Sequence, residues 1–527
     1  MPTAILLLRK NELYYKKRHE ILTFPTKEAA MLAIPVLLPL FCGMILFFAS
    51  SRLEQYLPAR RNWLTAFTGL VTILVFLCTV FNLWAPENTL ILWHIKEDVP
   101  VMFHLDRLGK LFAALVTAMW IPVTMHSFEY MKHEWKNVRF YGCHLMTLGV
   151  VLGICSAGNL VTMYLFYEGM TLATIGYIIH SQTKEAISAG FKYIFYSIAG
   201  AFLGLMGFFY IYQFGTTLTF TPGGVLDPAK ISGHEGFLLV IFFGMIVGFG
   251  SKAGMFPLHG WLSTAHPVAP APASAILSGI NTKMGVLAIL RVIYYIAGVS
   301  FLKGTWVQTA FITLTLITVF MGSMLAYKEK ILKRRLAYSS VSQVSYILFG
   351  AALMHPLALA GSLAHVIFHS IMKNGLFLCS GSIIYKTGKT KIDEFKGIGK
   401  QMPITLICFT LLGISMVGIP PFCGFFSKKE LCLGALATGY PIVGYAGPVI
   451  LLVSALLTAG YLLVPAFHAF YRTPDGVKEG EKTKTCEANL WILIPLVLLA
   501  AATVILGICF SGFEKLCIDI AYLKGIF

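Results

Sequence analysis

The sequence contains few charged residues for its length. Only 12% of its 527 residues are Asp, Glu, Lys or Arg, whereas 57% are hydrophobic and the mean hydropathy is +0.75. Soluble globular domains carry about 25% charged residues, so this composition excludes that class. The longest polar stretches reach only about 20 residues, which is too short for a separate soluble domain. The chain is therefore predicted to reside in a membrane.

The sequence also lacks the usual motifs of cofactor and metal sites. Its 11 cysteines form no CxxC pair and no Cys/His cluster with metal-ligand spacing. It has no good Gly-rich nucleotide loop and no nucleophile elbow. We therefore predict no catalytic residues, no cofactor and no metal site. Any energy that the protein uses is expected to arrive through contact with another protein.

Long apolar runs are abundant instead. We find about 14 of them, each of roughly 20 residues, the length that an α-helix needs to cross the hydrocarbon core. Strands of a membrane barrel would alternate in polarity, and these runs do not. The sequence therefore predicts an all-α polytopic membrane protein. Its 14 helices are predicted at residues 29–50, 62–85, 108–128, 141–157, 159–180, 187–213, 236–256, 272–295, 305–327, 336–354, 358–385, 403–422, 446–470 and 490–511.

The net charge of +17 comes from lysines and arginines concentrated in alternate loops. Loops after odd-numbered helices hold about 21 of them and loops after even-numbered helices about 7, which is the bias of cytoplasmic loops. This bias explains the charge without a nucleic-acid partner. The two richest loops, 328–335 and 386–400, are predicted to face the cytoplasm, with both termini outside. The basic segment at residues 1–28 disagrees with this topology, and it does not have the pattern of a signal peptide.

Six charged residues inside or beside the apolar runs are candidates for a functional role. A charge in the middle of a bilayer costs at least a few kcal/mol, so such residues are rare and usually mark an ion or proton path. Repetition of this cost in helix after helix predicts a protein that moves charge. The six residues are Lys192, Lys252, Lys283 and Lys373 inside predicted helices, Lys428 at a broken one, and the single acid Glu168.

Two of the apolar runs are broken by glycine and proline, at residues 247–262 and 417–431. Proline removes a backbone donor and frees the carbonyl one turn earlier. Within a membrane this is tolerated only where the freed groups meet protein or water. Each break lies next to a lysine, so it could supply polar backbone to a side chain that gains and loses a proton. A proline kink that serves only packing is the alternative.

An internal repeat is visible. Residues 192–198 read KYIFYSI and residues 365–371 read HVIFHSI. A shift of about 173 residues carries helices 4–8 onto helices 9–13. Because five is an odd number, the two copies are expected to have opposite topology, a pattern of transporters. The predicted divisions are a basic N-terminal segment (1–28), helices 1–3 (29–140), the two repeats (141–295 and 296–470), and a loop, helix 14 and tail (471–527).

The run GSKAGMFPLHGWLSTAHPVAPAPASAILSGINTKMGVLAILR (250–291) resembles the signature of the antiporter-like membrane subunits. This family is shared by respiratory complex I, Mrp-type cation/proton antiporters and energy-converting membrane-bound hydrogenases. RRLAYSSVSQVSY (334–346), HVIFHSIMKNGLFLCSGSI (365–383) and GIPPFCGFFSKKE (418–430) extend the resemblance over roughly residues 100–470. The AHPVAPAPAS stretch is most similar to the hydrogenase and Mrp branches.

The resemblance implies roles for individual residues. Glu168 on helix 5 and Lys252 on broken helix 7 are expected to form a switching ion pair, and Lys283 on helix 8 is the central lysine. In the sequence KKE, the terminal site of helix 12 is left open between Lys428, Lys429 and Glu430. The remaining implied members of the ion path are Lys192 on helix 6, whose role is less settled, and His365, His369 and Lys373 on helix 11.

The spacing of the helix-11 residues agrees with a relay. His365, His369 and Lys373 recur at i, i+4 and i+8, which places them on one face of one helix. A neutral imidazole can take a proton on one nitrogen and release it from the other. Such a ladder spans about 12 Å at 1.5 Å per residue. His259 and His266 flank the connection between helices 7 and 8, where either a gate or hydrogen bonding to helix ends would explain them.

We therefore predict a proton-translocating, or Na⁺/H⁺-translocating, subunit of a redox-driven complex in the cell membrane. The partners implied by the resemblance are other membrane subunits, further antiporter-like subunits among them, and a soluble iron–sulfur, hydrogenase-like or dehydrogenase arm. A subunit of a stand-alone Mrp-type antiporter is the alternative within transport. A structural anchor for soluble enzymes would not need charges at mid-membrane.

Overall fold

The computed structural model describes residues 27–472, 485–523 and 525–527, and within them it is a bundle of long helices. Most of the predicted segment 1–28 lies outside these residues, as does part of the loop before helix 14. The helices are α1 (Lys27–Leu53), α2 (Leu57–Trp84), α3 (Arg107–Tyr130), α4 (Asn137–Cys155), α5 (Leu160–Ile178), α6 (Lys184–Phe214), α7a (Glu235–Ala253), α7b (Leu262–Val268), α8 (Ala271–Ala297), α9 (Trp306–Lys328), α10 (Leu332–Ala352), α11 (Pro356–Thr387), α12a (Pro403–Val417), α12b (Cys423–Ala437), α13 (Pro441–Tyr471), α14 (Leu490–Ile508) and α15 (Phe510–Ala521).

The predicted all-α polytopic class is confirmed. Eleven helices of the described residues are long and apolar enough to cross a membrane. The other three predicted spans are α5, α10 and the divided helix 12. The first two carry more polar residues, and the third is split into two pieces of 15 residues each. Of the three, α10 is buried along almost its whole length, whereas α5 and α12a expose apolar side chains such as Leu172 and Ile407.

A two-stranded hairpin between α2 and α3 was not predicted. Strand β1 (Thr89–Lys96) pairs antiparallel with β2 (Val99–His104). Phe103 at the end of β2 is fully buried and also bridges to Ala157 beyond α4. The hairpin therefore lies against the end of the helical bundle. A backbone whose hydrogen bonds are made between two short strands is allowed there because it lies outside the apolar runs.

The predicted C-terminal tail contains a further helix. Residues Phe510–Ala521 form the amphipathic helix α15, in which Phe510 packs on Phe368 of α11 and Phe426 of α12b. One-turn helices lie at Pro228–Ile231, Val299–Leu302 and Ile398–Gln401, and 3₁₀ turns at Glu54–Tyr56 and Ile392–Phe395.

The helices divide into a central and an outer set. α8 is buried along its whole length, and most of α4 and α11 is buried as well, whereas two thirds of α1, α2 and α6 remain accessible. The polar residues follow this division: Lys283 on α8 and Lys373 on α11 have no accessible surface. Lys252 and Lys428 are buried as well, whereas Glu168 and Lys192 are partly accessible.

The two most basic loops are joined to each other. The amide of Leu332 donates to the carbonyl of Thr390 (3.0 Å), and the amide of Ile392 donates to the carbonyl of Lys330 (2.9 Å). Loops 328–335 and 386–400 therefore lie on the same face of the bundle, as the predicted topology requires. That this face is cytoplasmic stays a prediction.

Candidate ion pathway

The first segments of the two broken helices, α7a and α12a, end in the same way. The last residue of α7a is followed by Gly254 at φ +80°, and that of α12a by Gly418 at φ +92°. In each case the glycine amide donates back to the carbonyls three and four residues earlier. Only glycine adopts this left-handed conformation without steric cost. The shared ending fits the predicted repeat, which itself stays a prediction.

Lys428 binds the backbone that the second break leaves free. Its Nζ donates to the carbonyls of Met416 (2.6 Å) and Val417 (3.1 Å), the last two residues of α12a. Nζ also lies 4.9 Å above the ring of Tyr346 on α10. Lys429, in contrast, is half exposed and forms an ion pair with Glu430 at 3.4 Å. Of the three residues in KKE, Lys428 is the one that points into the break.

Lys252, on the last turn of α7a, is held by neutral groups. Its Nζ donates to Thr171 on α5 and lies 3.5 Å from the hydroxyl of Tyr193 on α6. The ring of Tyr167 lies 4.9 Å from the same nitrogen, and that of Tyr193 lies 5.5 Å away. Aromatic faces attract a cation without neutralising it.

Glu168 makes no ion pair with Lys252 in this structure. Glu168 is half-buried, and its Oε1 has no hydrogen-bond partner. It lies on α5 one turn before Thr171, which holds the lysine, and the two charges are near enough to interact electrostatically. A short movement of the lysine side chain along α5 would therefore exchange the hydroxyl for the carboxylate.

Lys283 lies at a widened turn of α8. Residues Leu277–Asn281 form a π-helical turn, and Nζ of Lys283 donates to the carbonyl of Ser278 at 2.7 Å. Such turns are often found at functional sites because they release backbone groups from the helical ladder. α8 approaches α7a at Gly285, where an added Cβ would lie 2.6 Å from the amide nitrogen of Ala253. The Lys283 turn is thus packed beside the end of the Lys252 helix.

The helix-11 residues form a stacked ladder. The rings of His365 and His369 lie 5.8 Å apart at an angle of 16°. His365 is bonded on both sides, by Ser427 of α12b (2.9 Å) and Gln343 of α10 (3.2 Å), whereas neither ring nitrogen of His369 has a hydrogen-bond partner within the described part of the chain. Lys373 donates to the carbonyl of Leu336 (3.1 Å).

His369 occupies a central place among these groups. Its ring is within electrostatic range of Lys283, Lys373 and Lys428, as well as of His365. α11 meets α8 where Ser370, the next residue, donates to the carbonyl of Gly279 (2.7 Å). An imidazole with two free nitrogens can accept a proton on one side and release it on the other.

The other three residues predicted for the ion path, Lys192, His259 and His266, lie beside the groups described above. Lys192 is only half-buried, with its Cε near Gly260 in the first break and His259 close by. His266 is fully buried against the ring of Phe377 (4.7 Å), and neither of its ring nitrogens makes a hydrogen bond to a residue that the structure describes. Hydrogen bonding to a helix end, one of the two explanations offered above, therefore does not account for His266.

One buried pair of charges was not predicted. Arg291 of α8 forms two bonds of 2.6 Å with Asp106, the N-cap of α3, and its guanidinium lies on the rings of Phe220 and Tyr295. The sequence does contain a signal for this pair, because Arg291 is a charged residue inside the apolar run of predicted helix 8. Burial alone would raise the pKa of Asp106, but the charge and hydrogen bonds of Arg291 lower it below its ordinary value.

The chain is similar in sequence to known membrane proteins. The family described as "NADH:quinone oxidoreductase/Mrp antiporter, TM" matches residues 157–472. NADH-quinone oxidoreductase subunit N of Desulforudis audaxviator is 33% identical over 377 residues, which cover 70% of this chain and 74% of that protein. An Na⁺/H⁺ antiporter subunit of Alkalihalophilus pseudofirmus is 28% identical over 482 residues, which cover 90% of this chain and 93% of that protein.

A solved structure agrees in fold. A chain of the Mrp complex from Dietzia sp. DQ12-45-1b superimposes with a TM-score of 0.79 at 22% identity, covering 95% of this chain and all of that one. The family match extends over more than half of the sequence and includes both breaks, α8 and the α11 ladder. The chain is thus a multi-pass membrane protein, and it belongs to the NADH:quinone oxidoreductase/Mrp antiporter family of antiporter-like transmembrane subunits.

Proposed function

We propose that this chain translocates protons through Glu168, Lys252, Lys283, the α11 ladder and Lys428, as one membrane subunit of a redox-driven complex. One observation carries the proposal. Lys252, Lys283, Lys373 and Lys428 are all buried, and among the described residues none of them forms an ion pair. Each is held by hydroxyls, carbonyls or aromatic rings.

A purely structural role does not explain this arrangement. Buried charges in proteins are normally paired, because an unpaired one costs several kcal/mol. The same protein follows that rule at Arg291, which has a bidentate carboxylate partner. An unpaired lysine in a dry interior can instead alternate between its charged and neutral forms, as proton transfer requires.

The helices that carry these groups also contact one another. Lys252 reaches α5, α7a touches α8 at Gly285, Ser370 joins α11 to α8, and His365 binds Ser427 on α12b. A proton can move along such a series when each group in turn becomes the acceptor. His259, His266 and Lys192 border this series and are proposed as groups that control access to it.

Transport is tested in inverted membrane vesicles that contain the full chain and its native partner subunits. A potassium–valinomycin potential is imposed, and proton flux is followed with a pH-sensitive dye. Lys283→Ala should abolish flux while the complex stays assembled, because loss of an unpaired buried charge removes its desolvation cost. Lys328→Ala, at an exposed position, is the control. Normal flux in the Lys283→Ala vesicles would show that Lys283 is not part of the path.

The source of energy is the second part of the proposal. The 33% identity to a subunit of an NADH-quinone oxidoreductase supports a redox-driven complex with a soluble iron–sulfur arm. The similarity to an Na⁺/H⁺ antiporter subunit favours a stand-alone antiporter as the second candidate. Purification of the complex in mild detergent separates them: an iron–sulfur signal that co-purifies with the chain supports the first, and a set of membrane subunits without iron supports the second.

A further inference from the structure

An apolar groove that the proposed ion path does not use lies on the outside of the bundle. α4 lies between α1 and α5 and forms the floor of the groove, which has a volume of about 640 Å³. Phe48 of α1 and Leu172 of α5 stand at its rim, with 78% and 76% of their surfaces accessible. Arg139 is the one charged side chain among the described residues that line it. The groove therefore opens toward the lipid side of the protein.

Small residues on α5 leave room for the groove. Gly169, Ala173 and Gly176 recur at i, i+4 and i+7 and so share one face of the helix. A Cβ added at Gly176 would lie 2.3 Å from Sγ of Cys143, whereas one added at Gly169 would reach Val150 only at 3.4 Å. The two helices are thus packed tightly near the start of α4, and they leave more space toward its other end.

The length of the groove matches one leaflet of a bilayer. Its lining on α4 runs from Arg139 through Cys143 and Met146 to Val150, all on one face of the helix. These residues span about 16 Å at 1.5 Å per residue. The hydrocarbon core of a bilayer is about 30 Å thick, so the groove extends over about half of it. Apolar walls over this depth fit the acyl chains of a single leaflet.

Arg139 at one end of the groove has hydrogen-bond donors to spare. Its Nη2 donates to the carbonyl of His180, just beyond α5 (2.5 Å). Its Nε is buried and has no hydrogen-bond partner among the residues that the structure describes. Glu54 lies within electrostatic range of Arg139, but Oε1 of Glu54 accepts instead from the amide of Val138 (2.8 Å). The guanidinium can therefore bind a further acceptor.

The residues before Arg139 place it at the level of lipid headgroups. Lys136 is the N-cap of α4, so Arg139 lies on the first turn of this helix. Trp135 is 54% accessible, and its ring lies 4.5 Å from the ammonium of Lys136. Tryptophan is enriched where the hydrocarbon core meets the headgroups. An anionic group at this level would meet the guanidinium of Arg139, with the ammonium of Lys136 one turn away.

We propose that this groove binds a phospholipid, with its acyl chains along α4 and its phosphate on Arg139. Arginine suits this role because its planar guanidinium forms charge-assisted hydrogen bonds with phosphate oxygens. An uncharged apolar ligand would fill the groove but leave the remaining donors of Arg139 without an anionic acceptor. The lipid site does not depend on the proposed proton transport.

The test uses the full chain in its native complex, washed free of lipid in an uncharged detergent. Two probes with the same diazirine-bearing acyl chains are added below saturation: a phosphatidylglycerol and a diacylglycerol, which lacks the phosphate. After illumination, the labelled residues are mapped by mass spectrometry. The phosphatidylglycerol should label the groove residues of α1, α4 and α5, and the diacylglycerol should label them far less.

Substitutions test the two halves of the site separately. Arg139→Gln should lower labelling by the phosphatidylglycerol about fivefold, which corresponds to about 1 kcal/mol for one basic residue at a lipid headgroup. Ala173→Phe fills the groove and should abolish labelling by both probes. The matched controls are Lys184→Gln, at an exposed cation on the first turn of α6, and Val240→Phe, on the accessible side of α7a. Both controls should be labelled like the unmodified chain.

Several results would overturn the proposal. Equal labelling by the two probes, or labelling that Arg139→Gln leaves unchanged, would show that the groove does not recognise phosphate. The comparison of probes needs no substitution, so it decides the matter even if a variant fails to assemble. A photoreactive phenylalanine at position 172 gives a second measurement in the native membrane. A cross-link from it to lipid supports the proposal, whereas a cross-link to protein would show that a protein segment fills the groove.

Discussion

The contact between Glu168 and Lys252 is open in this structure, and we predict that it closes during transport. Lys252 is bound to Thr171, one turn along α5 from Glu168, whose Oε1 has no hydrogen-bond partner among the described residues. Two unit charges at 4 Å interact by about 4 kcal/mol at an effective dielectric constant of 20. At about 1.36 kcal/mol per factor of ten, closure would change the ratio of protonated to neutral Lys252 by at most roughly a thousandfold, since the open pair already interacts weakly. One side-chain movement is therefore sufficient to load or unload the lysine.

Four changes test this switch. Glu168→Gln removes the charge, so we expect transport to lose its coupling to the energy source, and Lys252→Ala should give a similar loss. Glu168→Asp keeps the charge on a shorter arm and should retain part of the activity. Thr171→Val removes the acceptor that competes for the lysine, and it should favour the closed contact. Glu185→Gln, at an exposed acid on the first turn of α6, is the control.

The assay is proton flux in sealed inverted vesicles at matched expression of each variant. Residues that act as one unit are not additive, so the Glu168→Gln, Lys252→Ala double variant should transport nearly as well as the worse single variant. If the two losses multiply instead, the residues act independently and the switch must be abandoned.

Three further outcomes are expected. Single cysteines introduced into loops 328–335 or 386–400 should not be labelled by an impermeant thiol reagent added outside intact cells. The parent chain gives the background labelling. Strong labelling of the introduced cysteines would show that these loops face outside. Lys428→Ala should abolish flux whereas Lys429→Ala should not, and equal effects would contradict the assignment of the terminal site. Asp106→Asn should destabilise the protein by about 3–5 kcal/mol, because it leaves a buried arginine unpaired. Since the pKa of Asp106 is lowered by folding, the ion pair's contribution is present above the ordinary carboxyl pKa and is lost as the pH falls through the lower, folded value. Thermal unfolding against pH should show this acid-dependent loss in the unmodified chain and not in the variant.

The membrane-spanning helices could be predicted because their residues form continuous apolar runs of membrane length in the sequence. Even α10, whose first turn carries Lys333 and Arg335, was located correctly, since the rest of the run is apolar or small. The hairpin of β1 and β2 could not be found in this way. Its strands are eight and six residues long, and they lie in a connection where apolar length carries no information.

For the candidate site, sequence reasoning located the cations and missed their surroundings. A lysine in an apolar run is visible at once. That Lys428 meets the end of α12a, or that Lys252 is bound to Thr171 and not to Glu168, depends on side-chain positions in three dimensions.

The unpaired lysines also have a consequence for how this sequence changes over generations. Replacing any of them with an apolar residue of similar size would relieve a desolvation cost and stabilise the bundle. Random substitution therefore favours their loss, and only selection for transport keeps them in place. A copy of the gene released from that selection should lose Lys252, Lys283 or Lys428 while its helices still fold. A paired residue such as Arg291 should persist longer, because its loss leaves Asp106 buried and unpaired.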